Sequence, residues 1–380
     1  MLHPAPPALA DIRNFLLLQY PGALGTAIHA PPLIAALHAS IPGARIAATA
    51  SGFALDILRG NPGLERLIPT PNPLREIAPA ARAIRRANVF GGEPFATILT
   101  TGNERSRIII SALLSGSRTR VGFTLLPELA AALLRFDPRL SQIANNLRIV
   151  EALGHAPALL EQLRSNPALL EPQVFPSAAD VDATRALLTE ANPQQRPVTA
   201  FVLQGSGGQR TGWHEDRFAE VIRHVESLGH RAIFLGTAAD ASAIDRIRSL
   251  GGTPGESLAG RAGHSLAGRT TIPQLAALLC LCDFLITLDT GTMHIGRAAG
   301  LPMVVLAPSW QRAIEWLPLG LPNVRILRGE DRNDIPQDYK LDEIAVEAAI
   351  AAIDELRRVF PPSEAQRSNR IDRLLSTTRA

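Results

Sequence analysis

The 380-residue sequence is poor in cysteine, lysine and aromatic residues, and it has no long apolar run. Its two cysteines, Cys280 and Cys282, are too few for a disulfide framework or a four-cysteine zinc site, and we expect them to lie in the core. No window approaches the roughly 18 unbroken apolar residues that a membrane-spanning helix needs. Since no secretory signal opens the chain either, we expect a cytoplasmic protein.

The positive charge is carried almost entirely by arginine, because Lys340 is the one lysine among 38 basic residues, and the formal net charge is only +3. Arginines cluster locally at Arg82, Arg85 and Arg86, and at Arg367, Arg370, Arg373 and Arg379. These clusters are too scattered for a nucleic-acid-binding stripe, so we expect no nucleic-acid partner. They do suit an anionic ligand or a membrane surface.

Short apolar runs alternate with helical stretches along most of the chain, beginning with Phe15–Leu18. This alternation predicts open α/β sheets, and a proline-bearing stretch divides it into two halves. We therefore predict two doubly wound, Rossmann-like domains that face a central cleft. The predicted bounds are a disordered N-terminus at 1–11, an N-terminal domain at 12–175, a linker region at 176–197, a C-terminal domain with a terminal helix at 198–360, and a polar tail at 361–380.

A glycine-rich stretch, Gln204–Arg210, follows a predicted strand and precedes a predicted helix. Glycines there let the backbone approach a ligand closely, and the amides at a helix N-terminus suit a phosphate. Arg210 could add a forked cation. The alternative is a plain mobile loop, because glycine-rich loops without other signals are common.

A second stretch, Asp289–His294, follows the predicted strand Phe284–Leu288 and opens a helix. Asp289 then lies at the carboxyl end of a parallel strand, where open sheets bind ligands. The amides of Thr290 and Gly291 lie at the positive end of the helix and suit a diphosphate. The alternatives are that Asp289 only caps the helix and that His294 only packs in the core.

The corresponding loop of the first half is Tyr20–Thr26, where Gly22 and Gly25 allow a tight turn beside a helix N-terminus. It lacks the G-x-G-x-x-G spacing and the acidic residue some 20 positions further on that dinucleotide binding requires. An oxidoreductase is therefore disfavoured.

Three ordered segments together resemble glycosyltransferase family 9, the ADP-heptose:lipopolysaccharide heptosyltransferases. The segments are Ala23–Ile46 with Asn61–Pro69, then Gly205–Ile222, then Leu266–Leu306, with a weaker match at Arg105–Phe123. The last segment contains the string "DFLITLDTGTMHIGRAAGLPMVVL" and is the most specific. The similarity extends over nearly the whole chain.

The resemblance implies a GT-B fold and an inverting, metal-independent enzyme with no cofactor. The C-terminal domain would hold the donor, ADP-heptose or a related nucleotide sugar. The N-terminal domain would receive a lipid-linked glycan acceptor of the lipopolysaccharide-core type. Such an acceptor implies peripheral contact with the inner-membrane surface.

The resemblance also implies roles for individual residues. Those expected to contact the donor are Asp289, Thr290, Gly291 and His294, with Ser206 and Gly207 beside its phosphates and Thr270 near the adenine. Members of the family often carry a lysine where this chain has Thr211. The neighbouring Arg210 is then expected to meet the phosphate instead.

One departure from the family pattern concerns the catalytic base. The family usually has an aspartate after the glycine of the first loop, and this chain has Thr26 there. Threonine is no base near neutral pH, so His29, three residues further along a predicted helix, and Glu104 are the substitute candidates. The alternative function is a catalytically silent GT-B module that binds a sugar nucleotide or glycan.

Overall fold

The computed structural model describes residues 8–117, 119–204, 212–252, 262–309, 316–332 and 339–379. The chain divides into two compact units, an N-terminal unit that ends at Phe175 and a C-terminal unit, Pro176–Thr377. Each unit is built around one six-stranded sheet in which all described strand pairs are parallel. The predicted α/β class with parallel sheets is confirmed.

In the N-terminal unit, strands and helices alternate along the chain, after a short 3-10 helix at Leu9–Asp11. The strands are β1 Asn14–Gln19, β2 Arg45–Ala50, β3 Arg66–Pro69, β4 Ala96–Leu99, β5 Thr119–Gly122 and β6 Ala132–Leu133. The helices are α1 Leu24–Ile28, α2 Pro31–Ser40, α3 Phe53–Leu58, α4 Ile77–Ala87, α5 Ser106–Leu114, α6 Gln142–Ala152 and α7 Ala156–Ser165.

The C-terminal unit repeats this alternation. Its strands are β7 Val198–Val202, β8 Arg231–Leu235, β9 His264–Ser265, β10 Phe284–Leu288, β11 Met303–Leu306 and β12 Val324–Leu327. Its helices are α8 Ala178–Ala191, α9 Glu215–Ser227, α10 Ala241–Gly251, α11 Ile272–Leu281, α12 Gly291–Ala299, α13 Val346–Val359 and α14 Glu364–Arg379. Within the described ranges, no helix is both long enough and apolar enough to cross a bilayer.

The two sheets share one strand order. The first is β3-β2-β1-β4-β5-β6 and the second is β12-β11-β10-β7-β8-β9. If the strands of each unit are counted from that unit's own first strand, the second sheet reads 6-5-4-1-2-3. This is the order of the first sheet, 3-2-1-4-5-6, read in reverse. In both, the chain starts near the middle, builds outward to one edge, and then returns to build toward the other. The order therefore reverses between β1 and β4 and between β7 and β10, and open α/β sheets bind ligands at such switch points.

The central strands are buried along their whole length, because parallel sheets of this kind carry helices on both faces. All six residues of β1 and all five of β7 and β10 are buried. Phe201 and Phe234 lie with ring centroids 5.5 Å apart in the core of the C-terminal unit. Cys280 and Cys282 are fully buried, as expected, and both are free thiols.

The predicted polar tail contains the helix α14, and its arginines hold it against the C-terminal unit. Arg370 donates hydrogen bonds to the carbonyl oxygens of Cys280 and Cys282, and Arg373 donates to Ala299 O at 2.9 Å. These carbonyls lie at the C-terminal ends of α11 and α12, where the helix itself provides no N–H group to bond to them. A run of polar residues therefore forms a helix here, because its arginines bind groups that another part of the unit leaves unsatisfied.

Candidate functional site

The two candidate donor loops leave neighbouring strands at the same edge of the second sheet. Thr287 of β10 pairs with Val202 of β7, so the chain leaves both strands side by side. This is the switch point of the sheet. The predicted donor residues Ser206, Gly207, Arg210 and Thr211 lie outside the described residues, and the loop of Asp289 lies within them.

Helix α12 begins at this edge without a side-chain cap. Its N-cap residue, Thr290, has extended backbone (φ −142°, ψ 172°) and makes no capping hydrogen bond. The Thr290 Oγ1 atom is buried and has no hydrogen-bond partner among the described residues. In contrast, Thr271 caps α11 through a complete capping box with Gln274. A buried hydroxyl and uncapped amides at a positive helix end are groups that an anionic ligand can satisfy.

Asp289 is 3% exposed, and its backbone N–H donates to Leu306 O at 3.3 Å. Burial raises the pKa of its carboxyl group to about 6, and the nearby Arg328 guanidinium opposes that rise. The expected contact between Asp289 and a donor is not tested by these observations. They do show that the carboxylate is held at an electrostatic cost.

His294 lies one turn into α12 and is 3% exposed. Burial, with a smaller effect from Arg297, lowers its pKa to about 3, so the imidazole is neutral near pH 7. Its ring centroid is 6.4 Å from that of Trp316. A neutral His294 can offer a ligand a hydrogen bond but no positive charge.

Thr270 lies beyond β9, three strand positions from β10 along the sheet. At about 4.8 Å between strands, that separation is on the order of 14 Å. The neighbouring Arg269 is held by Glu190, with bidentate hydrogen bonds of 2.7 and 2.8 Å. The predicted role of Thr270 near an adenine stays a prediction.

A polar cluster at the carboxyl ends of β11 and β12 was not found from the sequence. Ser309 Oγ and the Tyr339 hydroxyl both bond to the Glu343 carboxylate, and the Ser309 N–H donates to Tyr339 Oη at 3.2 Å. Arg328 donates to Ser309 O at 3.3 Å. The missed signal is Arg328 directly after the apolar run of β12, at the same edge of the sheet as Asp289.

The one lysine of the chain also lies near this edge. A Cβ built on Gly212 would lie 4.0 Å from Lys340 Cγ, so the exposed Lys340 side chain runs beside the residue that follows the glycine-rich loop. Nothing in the local sequence around Lys340 indicates this position, because the contact joins two segments more than a hundred residues apart.

In the N-terminal unit, the loops after β1 and β4 are bound to each other at the corresponding switch point. Gln19 Nε2 donates to Thr100 Oγ1 at 2.9 Å, and the Tyr20 N–H donates to Asn103 Oδ1 at 2.6 Å. Asn103 is fully buried, so this bridge fixes the shape of both loops.

Thr26 packs directly on the loop that follows β4. Gly102 there has φ +81°, and a Cβ at that position would come within 2.3 Å of Thr26 Cγ2. Thr26 itself is 8% exposed. Thr26, the residue predicted to stand at the base position, is therefore in contact with the loop that carries Glu104.

His29 and Glu104 differ in how much of each side chain a substrate can reach. His29 ends α1, is 2% exposed, and accepts a hydrogen bond from Asn146 Nδ2 through its backbone oxygen. Glu104 is partly exposed as a residue, whereas its Oε2 atom is buried and has no hydrogen-bond partner in the described ranges. The structure thus gathers Thr26, His29 and Glu104 around one loop, and Glu104 is the more accessible of the two possible bases.

Among the described residues, no three His, Cys, Asp or Glu side chains come together in a way that could hold a metal ion.

The raised pKa of Asp289 leads to a prediction about stability and pH. The folded protein holds this proton more tightly than the unfolded chain, so wild-type stability falls as pH rises from about 4 to about 6. Asp289→Asn removes that loss. We expect the variant to exceed wild type by on the order of 1–3 kcal/mol above pH 7 and to show no advantage near pH 4.

Denaturant unfolding of both proteins at pH 4, 6 and 8 measures the effect. The matched control is Asp216→Asn, which removes an exposed carboxylate from the same unit. Its stability should differ from that of wild type by the same small amount at all three pH values. A stability gain for Asp289→Asn that does not grow with pH would contradict the assigned cost of burial.

Comparison with known proteins was made by sequence and by structure. Residues 148–312 match the family model "Glycosyltransferase family 9 (heptosyltransferase)". Lipopolysaccharide heptosyltransferase 2 of Salmonella typhimurium is 23% identical over 146 residues. That alignment covers 38% of this chain and 41% of the relative, so the match spans about two fifths of the relative's length.

Two solved structures share the fold over 90% of this chain. One is the glycosyl transferase family 9 protein from Veillonella parvula, with TM-score 0.75, 18% identity and 97% of its own chain covered. The other is the E. coli ADP-heptose LPS heptosyltransferase II, with TM-score 0.70, 20% identity and 98% covered. The predicted GT-B fold is confirmed by these likenesses, and the resemblance found in the sequence is confirmed by the family match. Over residues 148–312 the chain is similar to glycosyltransferase family 9, the heptosyltransferase family.

Proposed function

We propose that this protein is an inverting, metal-independent glycosyltransferase. It transfers a heptose or a related sugar from an ADP-sugar to a lipid-linked acceptor of the lipopolysaccharide-core type. The observation that carries the proposal is the uncapped N-terminus of α12, with its buried Thr290 hydroxyl, at the switch point of the second sheet. This helix lies within residues 148–312, the part of the chain that matches the family.

The chemistry of this transfer suits the groups at that edge. A nucleoside diphosphate leaves as the sugar develops oxocarbenium character, so negative charge grows on the diphosphate. Preorganised amides at a helix N-terminus stabilise such charge without reorganising during the reaction. Arg328 lowers the pKa of Asp289, so it supplies positive potential at the same edge. In this proposal the neutral His294 contributes a hydrogen bond only.

The role of Thr290 is tested by removing its hydroxyl. Thr290→Val keeps the shape of the side chain, and we expect about tenfold weaker binding of ADP, because one hydrogen bond to a charged group is lost. Isothermal titration with ADP measures this, and UDP tests the choice of base. Ser227→Ala, which removes an exposed hydroxyl at the end of α9, serves as the control and should bind ADP like wild type. Unchanged affinity in Thr290→Val would remove this hydroxyl from the donor site.

The acceptor is proposed to bind the N-terminal unit at the switch point of the first sheet. A base must take the proton of the attacking hydroxyl there, and it must lie within hydrogen-bond reach of that proton. We assign this role to Glu104, because the residue is partly exposed and its buried Oε2 atom has no hydrogen-bond partner in the described part of the chain, so an acceptor hydroxyl could satisfy it. His29 stays the alternative base, although its 2% exposure leaves little surface for such a contact.

Paired amide variants distinguish the two bases. We expect Glu104→Gln to lower kcat by about a hundredfold or more, since general-base catalysis contributes on that scale, and to leave the affinity for ADP unchanged. His29→Gln should keep most of the turnover. Transfer from ADP-heptose to a core-type acceptor is followed by mass spectrometry, with and without a chelator to test metal independence. The reverse pattern would assign the base to His29.

The second candidate function is a silent module that binds a sugar nucleotide or glycan. The observation that favours it is Thr26, a buried residue without a basic side chain at the position of the family's usual aspartate. ADP binding without any transfer by the wild-type protein, across several acceptors, would support the silent module and overturn the enzyme.

Peripheral membrane contact is proposed through α4. Arg82, Arg85 and Arg86 are exposed on this helix, while Ala81 and Ile84 face the core. We expect sedimentation with phosphatidylglycerol vesicles that weakens with salt and is lost when all three arginines are replaced by glutamine. Sedimentation that is insensitive to salt, or equal in the triple variant, would argue against this contact.

A further inference from the structure

A cavity of about 290 Å³ lies in the C-terminal unit at the end of the sheet opposite to the Asp289 loop. Its wall includes Val198, the first residue of β7, and Leu281, which precedes the loop into β10. Strands β7 and β10 are parallel, so this wall is at their amino ends and the donor loops are at their carboxyl ends. The cavity is therefore separate from the site described above.

Three arginines from different elements line this cavity. Arg185 comes from α8, Arg196 from the segment just before β7, and Arg367 from α14. The polar side chains of Thr189 and Asn192 line it as well. Each of these elements belongs to the C-terminal unit, so the wall is formed within one compact body.

Arg196 is the least compensated of the three. Its nearest carboxylate oxygen, Glu226 Oε1, lies 3.7 Å away, beyond hydrogen-bond distance, and the same oxygen faces Arg231 at 3.9 Å. The Arg196 Nε atom is buried and has no hydrogen-bond partner among the described residues. A buried guanidinium donor without an acceptor is costly, and a bound anion would remove that cost.

Arg185 and Arg367 each bind a carboxylate through one guanidinium nitrogen, so their other N–H groups could donate to a ligand. Arg185 makes only a 3.5 Å contact with Asp182, and its side chain is 57% exposed. Arg367 binds the buried Asp283 through Nη1 at 2.6 Å, which fixes the guanidinium in place at the cavity wall. Asp283 Oδ2 also accepts from the Val198 N–H at 2.8 Å, so this ion pair connects α14 to the start of β7.

The nearby His230 contributes no positive charge to this region. His230 hydrogen-bonds to Thr199, the residue after Val198, and its Nε2 accepts from Arg357 Nε at 3.2 Å. The pKa of His230 is lowered to about 4, mainly by burial and next by Arg357. Asp283 has the opposite effect, and Arg196 has a smaller lowering effect. The histidine therefore adds no charge near pH 7, and the arginines determine the potential of the cavity.

We propose that this arginine-lined cavity binds a phosphate group, at a site distinct from the donor edge. Forked guanidinium groups from three elements of the lining suit the tetrahedral, multiply charged oxygens of phosphate. The volume admits a free phosphate or the phosphate end of a small molecule. The same chemistry could come from a lipid headgroup that reaches the opening, and the test below separates these sources.

The experiment is isothermal titration of the full chain with inorganic phosphate, in wild type and in Thr290→Val, whose change at the proposed donor edge should leave binding in the cavity unchanged. We expect saturable binding that weakens with added chloride. Arg196→Gln and the surface variant Arg185→Gln should each weaken binding about tenfold or more, because each removes a charge-assisted hydrogen bond. Arg223→Gln, an exposed arginine of α9, is the matched control and should bind as wild type.

Sedimentation with phosphatidylglycerol vesicles is the second arm, run on the same variants. Arg196-dependent binding of free phosphate assigns a soluble ligand, and Arg196-dependent vesicle binding without free phosphate binding assigns a headgroup. Equal phosphate binding by wild type, Arg196→Gln and Arg185→Gln, or no binding in either arm, would overturn the proposal. Arg185→Gln keeps the test valid if Arg196→Gln misfolds, because the Arg185 side chain is mostly in solvent and its replacement should not disturb the fold.

Discussion

Parallel pairing of the two central strands in each sheet is the constraint on which the functional regions depend. Because β7 and β10 run in the same direction, in register from Phe284 opposite Thr199 to Thr287 opposite Val202, their carboxyl ends must open at one edge. The pairing of β1 with β4 has the same effect on the loops that carry Thr26 and Glu104. Residues far apart in sequence are thereby brought together by backbone hydrogen bonds, before any side chain is considered.

The start of α12 combines a helix N-terminus without a side-chain cap with a buried hydroxyl that has no partner among the described residues. The N-termini of α6, α8 and α11 are capped by Ser141, Ser177 and Thr271. Helix α12 has no such cap, like α4, α9 and α13, but it differs in having the buried carboxyl group of Asp289 beside it, whose pKa burial raises. Capping a helix typically contributes about 1 kcal/mol, so each end without a side-chain cap gives up stability of that order.

Much of the fold could be predicted from the sequence, because buried parallel strands are continuous apolar runs. The runs at Phe15–Leu18 and Phe284–Leu288 correspond to β1 and β10. The predicted helix from Leu24 is divided at Pro31, since proline favours the first turn of a new helix, α2. The tail was harder to predict, because α14 buries Ile371 and Leu374 within a mainly polar stretch and depends on carbonyls supplied by α11 and α12.

The candidate site could be predicted only where its residues follow one another. The Asp289–His294 stretch is contiguous, so its place after a strand was predictable. Arg328, Ser309 and Tyr339 meet through strand order, which a single sequence does not display. The exposure that separates Glu104 from His29 likewise depends on packing by distant segments such as α6.

The position of the two cysteines has a practical consequence. Cys280 and Cys282 are the only thiols in the chain, both are fully buried, and burial raises the pKa of Cys280 to about 12 and that of Cys282 further. Alkylating reagents attack thiolates, so the native protein should resist them. The rate of alkylation then reports how often the C-terminal unit opens, without a fluorophore or an engineered label, while the N-terminal unit remains invisible to the reagent.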